Sequence, residues 1–160
     1  MNSPQFPPPE VFRNRVPLQI RFNDVDVLGH VNNTVYLTFY DTGKAYYFTD
    51  VLGRRVDWKH VDTVVANVNC SFISPIVFGE DPEVLTTCLY YSEKSFKLLQ
   101  MIRDSKSGEV KSVCETVMVS YDALKKESVP LSEDWKKALE RFEGRPLSKE
   151  YFEKTEKNEI

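Results

Sequence analysis

The segment from Thr34 to Leu52 constrains this chain most. It is rich in Val, Leu, Phe and Tyr. Its polar residues Thr34, Thr38, Asp41, Thr42 and Thr49 fall near one narrow stripe at helical spacing. A helix that is apolar around most of its circumference belongs in an interior. Asn32 and Asn33 supply caps before it, and Gly53 is a natural stop after it. A long buried helix in a chain of 160 residues needs a sheet curved around it. The length suits one domain.

The rest of the chain supplies that sheet. Leu18, Ile20 and Phe22 alternate with Gln19, Arg21 and Asn23, as in a strand with one wet face. Four further strand-like runs follow the helix, over 63–76, 83–91, 96–103 and 110–121. The polar turn 104–108 joins the last two as a hairpin. Ser132 caps a closing helix with Glu133 and Asp134 in its first turn, and Trp135, Ala138, Leu139 and Phe142 recur at i, i+3, i+4 and i+7. One helix followed by a run of strands indicates an α+β fold. Residues 1–16 read as a flexible proline-rich leader, 17–145 as the domain and 146–160 as a charged tail that frays.

Composition excludes several roles. The net charge of −3, with scattered basic residues, gives no footprint for nucleic acid. The N-terminus lacks the basic start and apolar run of a secretory signal, and no stretch suits a membrane span. Cys70, Cys88 and Cys114 are odd in number and far apart, as expected of reduced thiols in a cytoplasmic protein. Two dispersed histidines, His30 and His60, argue against a His-based metal site.

Candidate chemistry concentrates in residues 21–36. Asp24, Asp26, Gly29, His30, Asn32 and Asn33 all precede the buried helix. A helix start offers unpaired N–H groups and partial positive charge, which suit an anion or a developing oxyanion. An aspartate beside it would act as a base toward water or as a nucleophile. Each residue also has a plain structural reading, the aspartates as turn formers and the asparagines as caps.

Phe22, Asp24 and Asp26, then Gly29-His30-Val31-Asn32-Asn33 and Tyr36, resemble the signature of the 4-hydroxybenzoyl-CoA thioesterase-like branch of the hot-dog superfamily. The resemblance extends over roughly 17–145, including 67–83 and Lys94-Ser95-Phe96. It implies a hot-dog fold, with a long central helix wrapped by a curved antiparallel sheet of about five strands and a short C-terminal helix. It implies hydrolysis of acyl-CoA, or of acyl carrier protein thioesters, by a homodimer or dimer of dimers with sites between protomers. Coenzyme A or pantetheine would be part of the substrate, with no separate cofactor and no metal.

By the same resemblance Asp26 is the catalytic carboxylate, His30 belongs to the Gly-His-Val-Asn-Asn motif, and Asn33 lends its backbone N–H to the thioester oxygen. Some relatives place histidine at the position of Asn33, so an imidazole role there is lost. Leu28 replaces an asparagine of the plant acyl-carrier-protein thioesterases. Asp41 stands where many relatives carry a helix glutamate, an accessory position. Lys94 matches a contact to coenzyme A phosphates. Two other readings are a hot-dog dehydratase or hydratase acting on hydroxyacyl thioesters, and a non-catalytic acyl-thioester-binding module.

Overall fold

The computed structural model describes residues 6–55, 57 and 62–158. His60 lies outside them. The elements run β1 (Asn14–Pro17), α1 (Asn33–Leu52), β2 (Thr63–Phe72), β3 (Pro82–Tyr91), β4 (Ser95–Asp104), β5 (Val110–Asp122), β6 (Glu127–Ser128), α2 (Glu133–Glu143) and α3 (Lys149–Asn158). The main sheet is antiparallel in the order β1-β3-β4-β5-β2, with β6 paired to β5. It curls around α1 as a half-barrel of five strands.

α1 starts and stops where its caps dictate. The Asn32 side chain accepts from the Thr34 N–H at 3.0 Å, and Gly53 takes a left-handed conformation at φ 64°. Its buried stripe is Tyr36, Phe39, Tyr40, Gly43, Lys44, Tyr47 and Val51. The helix is not buried all round, because Leu37 and Tyr46 on the other face are exposed. Gly43 marks the closest approach to the sheet. A Cβ there would lie 2.9 Å from Gln100 Nε2 and from both Val84 methyl carbons.

The core has three parts. Near the start of α1, Val31, Tyr36, Tyr40, Ile76, Ile102 and Cys114 pack together. Near its end, Tyr47 and Val51 meet Leu98, Trp135 and Leu139, so α2 closes that end of the half-barrel. The other face of β3 and β4 is covered by Phe12, which packs on Leu85, Leu99 and Met101. The α2 carboxylate Glu143 sits in the interior and accepts from the Tyr47 hydroxyl at 2.6 Å, the Thr87 hydroxyl at 2.9 Å and the Cys88 N–H at 2.8 Å. A buried carboxylate is tolerated because its acceptor sites are filled.

The structure corrects the sequence reading at both ends. The first strand is Asn14–Pro17, paired with β3, and the alternating segment 18–22 runs as a connection into a short 3-10 turn at Phe22–Asp24. The alternation is real, but Leu18 and Ile20 pack on the core only partly. The leader is therefore structured from Pro9, where a 3-10 turn leads to the buried Phe12. The charged tail forms α3, anchored by the buried Leu147 and by Phe152 against Tyr90 with ring centroids 4.9 Å apart. The run expected over 63–76 ends as a strand at Phe72.

Candidate active site

The loop between β1 and α1 is held as a small closed unit. Asp24 is its anchor. It is 2% exposed, and its carboxylate accepts from the Arg21 backbone N–H at 2.7 Å and pairs with the Arg21 guanidinium at 3.0 Å. Burial opposes ionisation of Asp24, but the Arg21 N–H and guanidinium outweigh it and hold the pKa below the ordinary carboxylate value. The Asp24 carbonyl also accepts from the Asn32 N–H at 2.8 Å. Asp24 thus ties the loop to the start of α1, a structural part.

Asp26 occupies the next turn. Its N–H donates to the His30 carbonyl at 2.9 Å, and its carbonyl accepts from Gly29 at 3.0 Å. Gly29 reaches φ 79°, a conformation that suits glycine. The Asp26 Oδ1 accepts from the Leu28 N–H at 2.9 Å. The side chain is half-buried rather than interior. Asp26 is therefore held in place by one carboxylate oxygen.

His30 bridges to Val77, and the Val31 N–H donates to the Ile76 carbonyl at 2.8 Å. These contacts lay the loop against the segment after β2. Between them lies an open cleft of about 220 Å³, lined on one side by His30, Val31, Asn33 and Tyr36 and on the other by residues 72–75. Asn33 is the first residue of α1, so its N–H has no partner within the helix. The Tyr36 hydroxyl accepts from the Ile76 N–H at 3.2 Å, and its ring meets Phe72 edge-on at 5.1 Å. Burial foremost keeps the Tyr36 hydroxyl protonated, with its pKa raised.

The structure therefore brings His30 and Asn33 together at the cleft, with Asp26 one hydrogen bond away through the His30 backbone. It does not bring in Asp41, which lies exposed on α1 and pairs with Lys44 at 2.8 Å. Nor does it bring Lys94 of the same chain. Lys94 sits in the β3–β4 turn, where its carbonyl accepts from Ser120. The cleft wall lies beside Ser112 at the other end of β5, about 27 Å away at ~3.4 Å per residue.

The cleft's second wall escaped the sequence reading. Residues 72–75 stood out as the end of a strand and as part of the stretch 67–83 that shares the family resemblance, with no role of their own. Lys111 fixes them: its ammonium donates to the Pro75 carbonyl at 3.1 Å and pairs with Glu80 at 2.8 Å and Glu109 at 2.7 Å. The Ser74 hydroxyl donates to Glu109 at 2.7 Å. The signal available was Pro75, which cannot donate to a strand ladder and so ends one. Among the described residues, no group of three or more His, Cys, Asp and Glu side chains gathers as a metal site would require.

Known structures share this architecture. A thioesterase of Thermus thermophilus, complexed with coenzyme A and zinc, is 29% identical, with a TM-score of 0.77 over 86% of this chain and 99% of the other. A predicted thioesterase of Bacillus stearothermophilus is 19% identical, with a TM-score of 0.74 over 82% and 97%. A 1,4-dihydroxy-2-naphthoyl-CoA thioesterase of Synechocystis is 17% identical, with a TM-score of 0.69 over 78% and 93%. No curated protein matches the chain. Residues 20–139 match the thioesterase-like superfamily, and the chain belongs to that family as a hot-dog thioester hydrolase.

Proposed function

We propose that the protein hydrolyses an acyl-CoA, with water attacking the thioester carbonyl in the cleft between the start of α1 and residues 72–75. The observation that carries this reading is the convergence of His30 and Asn33 on that cleft beside Asp26. The carbonyl oxygen would face the Asn33 N–H, where the helix dipole favours the charge that develops on it. Asp26, already oriented by the Leu28 N–H, would take the proton of the attacking water or attack the carbonyl itself. His30 would orient the water or the acyl group at the cleft wall. The coenzyme A bound to the Thermus thioesterase supports a CoA thioester as the substrate. An acyl carrier protein thioester carries the same pantetheine arm and is the alternative carrier.

Lys94 joins this reading only through a second copy. β2 is a ten-residue edge strand whose Val64, Val65, Val68 and Phe72 are exposed. A long apolar edge invites pairing. Two β2 strands paired antiparallel about a two-fold axis would set the partner's Thr63 end beside the Phe72 end of the first copy. The partner's Lys94 turn would then lie at the cleft end of the sheet, where coenzyme A phosphates would extend. The reading thus includes a homodimer, with further association left to the same test. Asp41, exposed on α1 and paired with Lys44, would serve at most as an accessory charge.

The test is release of free thiol from a panel of acyl-CoAs, from acetyl to palmitoyl plus benzoyl and hydroxybenzoyl, with molar mass measured by light scattering. Turnover of a panel member by a dimer supports the reading. No turnover of any acyl-CoA, together with turnover of an acyl carrier protein thioester, would replace the carrier. A monomer that turns over normally would remove Lys94 from the site.

A further inference from the structure

Cys70 and Cys114, 44 residues apart in sequence, are direct partners in the β2–β5 ladder. The Ile73 N–H donates to the Lys111 carbonyl. That bond makes Phe72–Ser112, and with it Cys70–Cys114 two residues on, a non-hydrogen-bonded antiparallel pair. In such pairs the Cα atoms approach to about 4.5 Å and the side chains are close. That separation falls within the range a disulfide spans, roughly 4.4–6.8 Å between Cα atoms. Both side chains point to the α1 side of the sheet. Cys70 Sγ lies 3.4 Å from Ser112 Oγ, which also receives the Tyr40 hydroxyl at 2.7 Å, and Cys114 belongs to the core cluster against which Cys70 packs. Cys70 is half-buried, whereas Cys114 is fully buried. Cys88, on β3, has no cysteine opposite it and faces Leu98 across the ladder.

We propose that Cys70 and Cys114 form a redox-sensitive site that closes reversibly to a cross-strand disulfide when the protein meets a low-molecular-weight disulfide. The half-buried Cys70 reacts first. Its thiolate attacks one sulfur of the disulfide, forming a mixed disulfide and expelling one small thiolate. The Cys114 thiolate then attacks Cys70 Sγ, forming the protein disulfide and expelling the second small thiolate. The two protons lost by the cysteines end on the two small thiols, and the small disulfide is the species reduced. Burial foremost raises the Cys114 thiol to about 11, and the Cys70 thiol beside it adds to the rise. The second step therefore accelerates with pH, roughly tenfold per unit below that value. The link would fasten the exposed edge strand β2 to β5.

The experiment treats the full chain with oxidised glutathione, then digests it without reduction and maps the peptides by mass spectrometry. The expected product joins the Cys70 and Cys114 peptides, has lost two hydrogens, and leaves Cys88 as the one free thiol. Its unfolding midpoint lies above that of the reduced protein, and dithiothreitol reverses both changes. In Cys70→Ser no link forms and no midpoint shift follows; this half-buried position keeps the test valid even where Cys114→Ser does not fold. Glutathione retained on Cys70 with Cys114 free, three persistent free thiols, or a link through Cys88 would each overturn the proposal.

Discussion

Asp26→Asn isolates the proposed chemistry from the fold. In the native loop one carboxylate oxygen of Asp26 accepts from the Leu28 N–H at 2.9 Å, and the backbone bonds to His30 and Gly29 do not involve the side chain. An amide oxygen accepts the same Leu28 bond, so the turn is kept and stability should change by less than about 0.5 kcal/mol, as for a surface substitution. What the amide cannot do is take a proton from water or form an acyl anhydride. Loss of a positioned base costs roughly a hundred- to ten-thousandfold in rate, which is about 3–5 kcal/mol of transition-state stabilisation. The predicted result is therefore a kcat lowered by at least a hundredfold, with KM and the thermal midpoint nearly unchanged. Thiol release measured under saturating acyl-CoA, beside a thermal melt, reads all three.

Asp26→Ala provides the contrast. It also removes the Leu28 acceptor and should cost roughly 1 kcal/mol of stability on top of the same loss of rate. A kcat for Asp26→Asn within threefold of the parent, in a folded protein, would refute the assignment. Attention would then pass to His30 as the base. Single turnover in oxygen-18 water tests the nucleophilic role of Asp26: label on the Asp26 peptide marks an acyl anhydride opened at its aspartyl carbonyl, whereas label only in the product acid is common to a base and to an anhydride opened at its acyl carbonyl.

Three further outcomes follow from the geometry. Lys94→Ala should raise KM for an acyl-CoA about two- to fivefold, with kcat unchanged and the effect fading at high salt, as for one exposed charge contact; an unchanged KM at low salt places Lys94 outside the phosphate site. Gly43→Ala drives a methyl to 2.9 Å from Gln100 Nε2 and the Val84 methyls and should destabilise the protein by about 1–3 kcal/mol in urea titration. Asp104, whose carboxylate accepts foremost from the Ser107 N–H at 2.7 Å and also from the Asp81 N–H at 3.1 Å, has its pKa depressed from 3.8 to about 2. A depressed folded pKa means that its contribution is present above 3.8 and is lost as pH falls toward about 2. Asp104→Asn should flatten that acid limb of the melting curve, and an identical limb would show that other carboxylates dominate it.

Much of the architecture is legible in the sequence because a single element forces it. The long apolar run 34–52, with caps at both ends, reads as a helix, although Leu37 and Tyr46 leave one face of it exposed, and the four strand-like runs after it read as its sheet. The closing helix announces itself through Ser132, which caps the Trp135 N–H at 3.2 Å in the structure as its spacing implies. The errors lie where period-two alternation and real pairing diverge. Leu18, Ile20 and Phe22 alternate in sequence, yet the strand that pairs is the preceding Asn14–Pro17. Its interior contacts come from Phe12, Asn14 and Val16, a register hidden behind prolines that read as a leader. The tail misled for a related reason. Its charges describe the outer face of α3, while Leu147 and Phe152 supply the contacts that hold it.

The two aspartates of the loop show why a motif alone does not define a site. By residue type alone Asp24 and Asp26 look equivalent, two apart and both turn formers, and only the family resemblance singles out Asp26. The fold separates them by partner. Asp24 has Arg21 against both oxygens and the Asn32 N–H on its carbonyl, so its charge is consumed in holding the loop to α1. Asp26 has one backbone N–H on one oxygen and stays half-buried beside His30. Of the two, only the second keeps a carboxylate oxygen without a hydrogen bond among the described residues. The same logic covers the missing wall. Residues 72–75 carry no side-chain chemistry of their own, and they line the cleft because Lys111, thirty-six residues beyond Pro75, clamps them opposite the start of α1. Asp26, His30 and Asn33 are therefore readable as candidates from the loop, whereas the cleft beside them depends on the strand pairing between β2 and β5 that carries residues 72–75 to the start of α1.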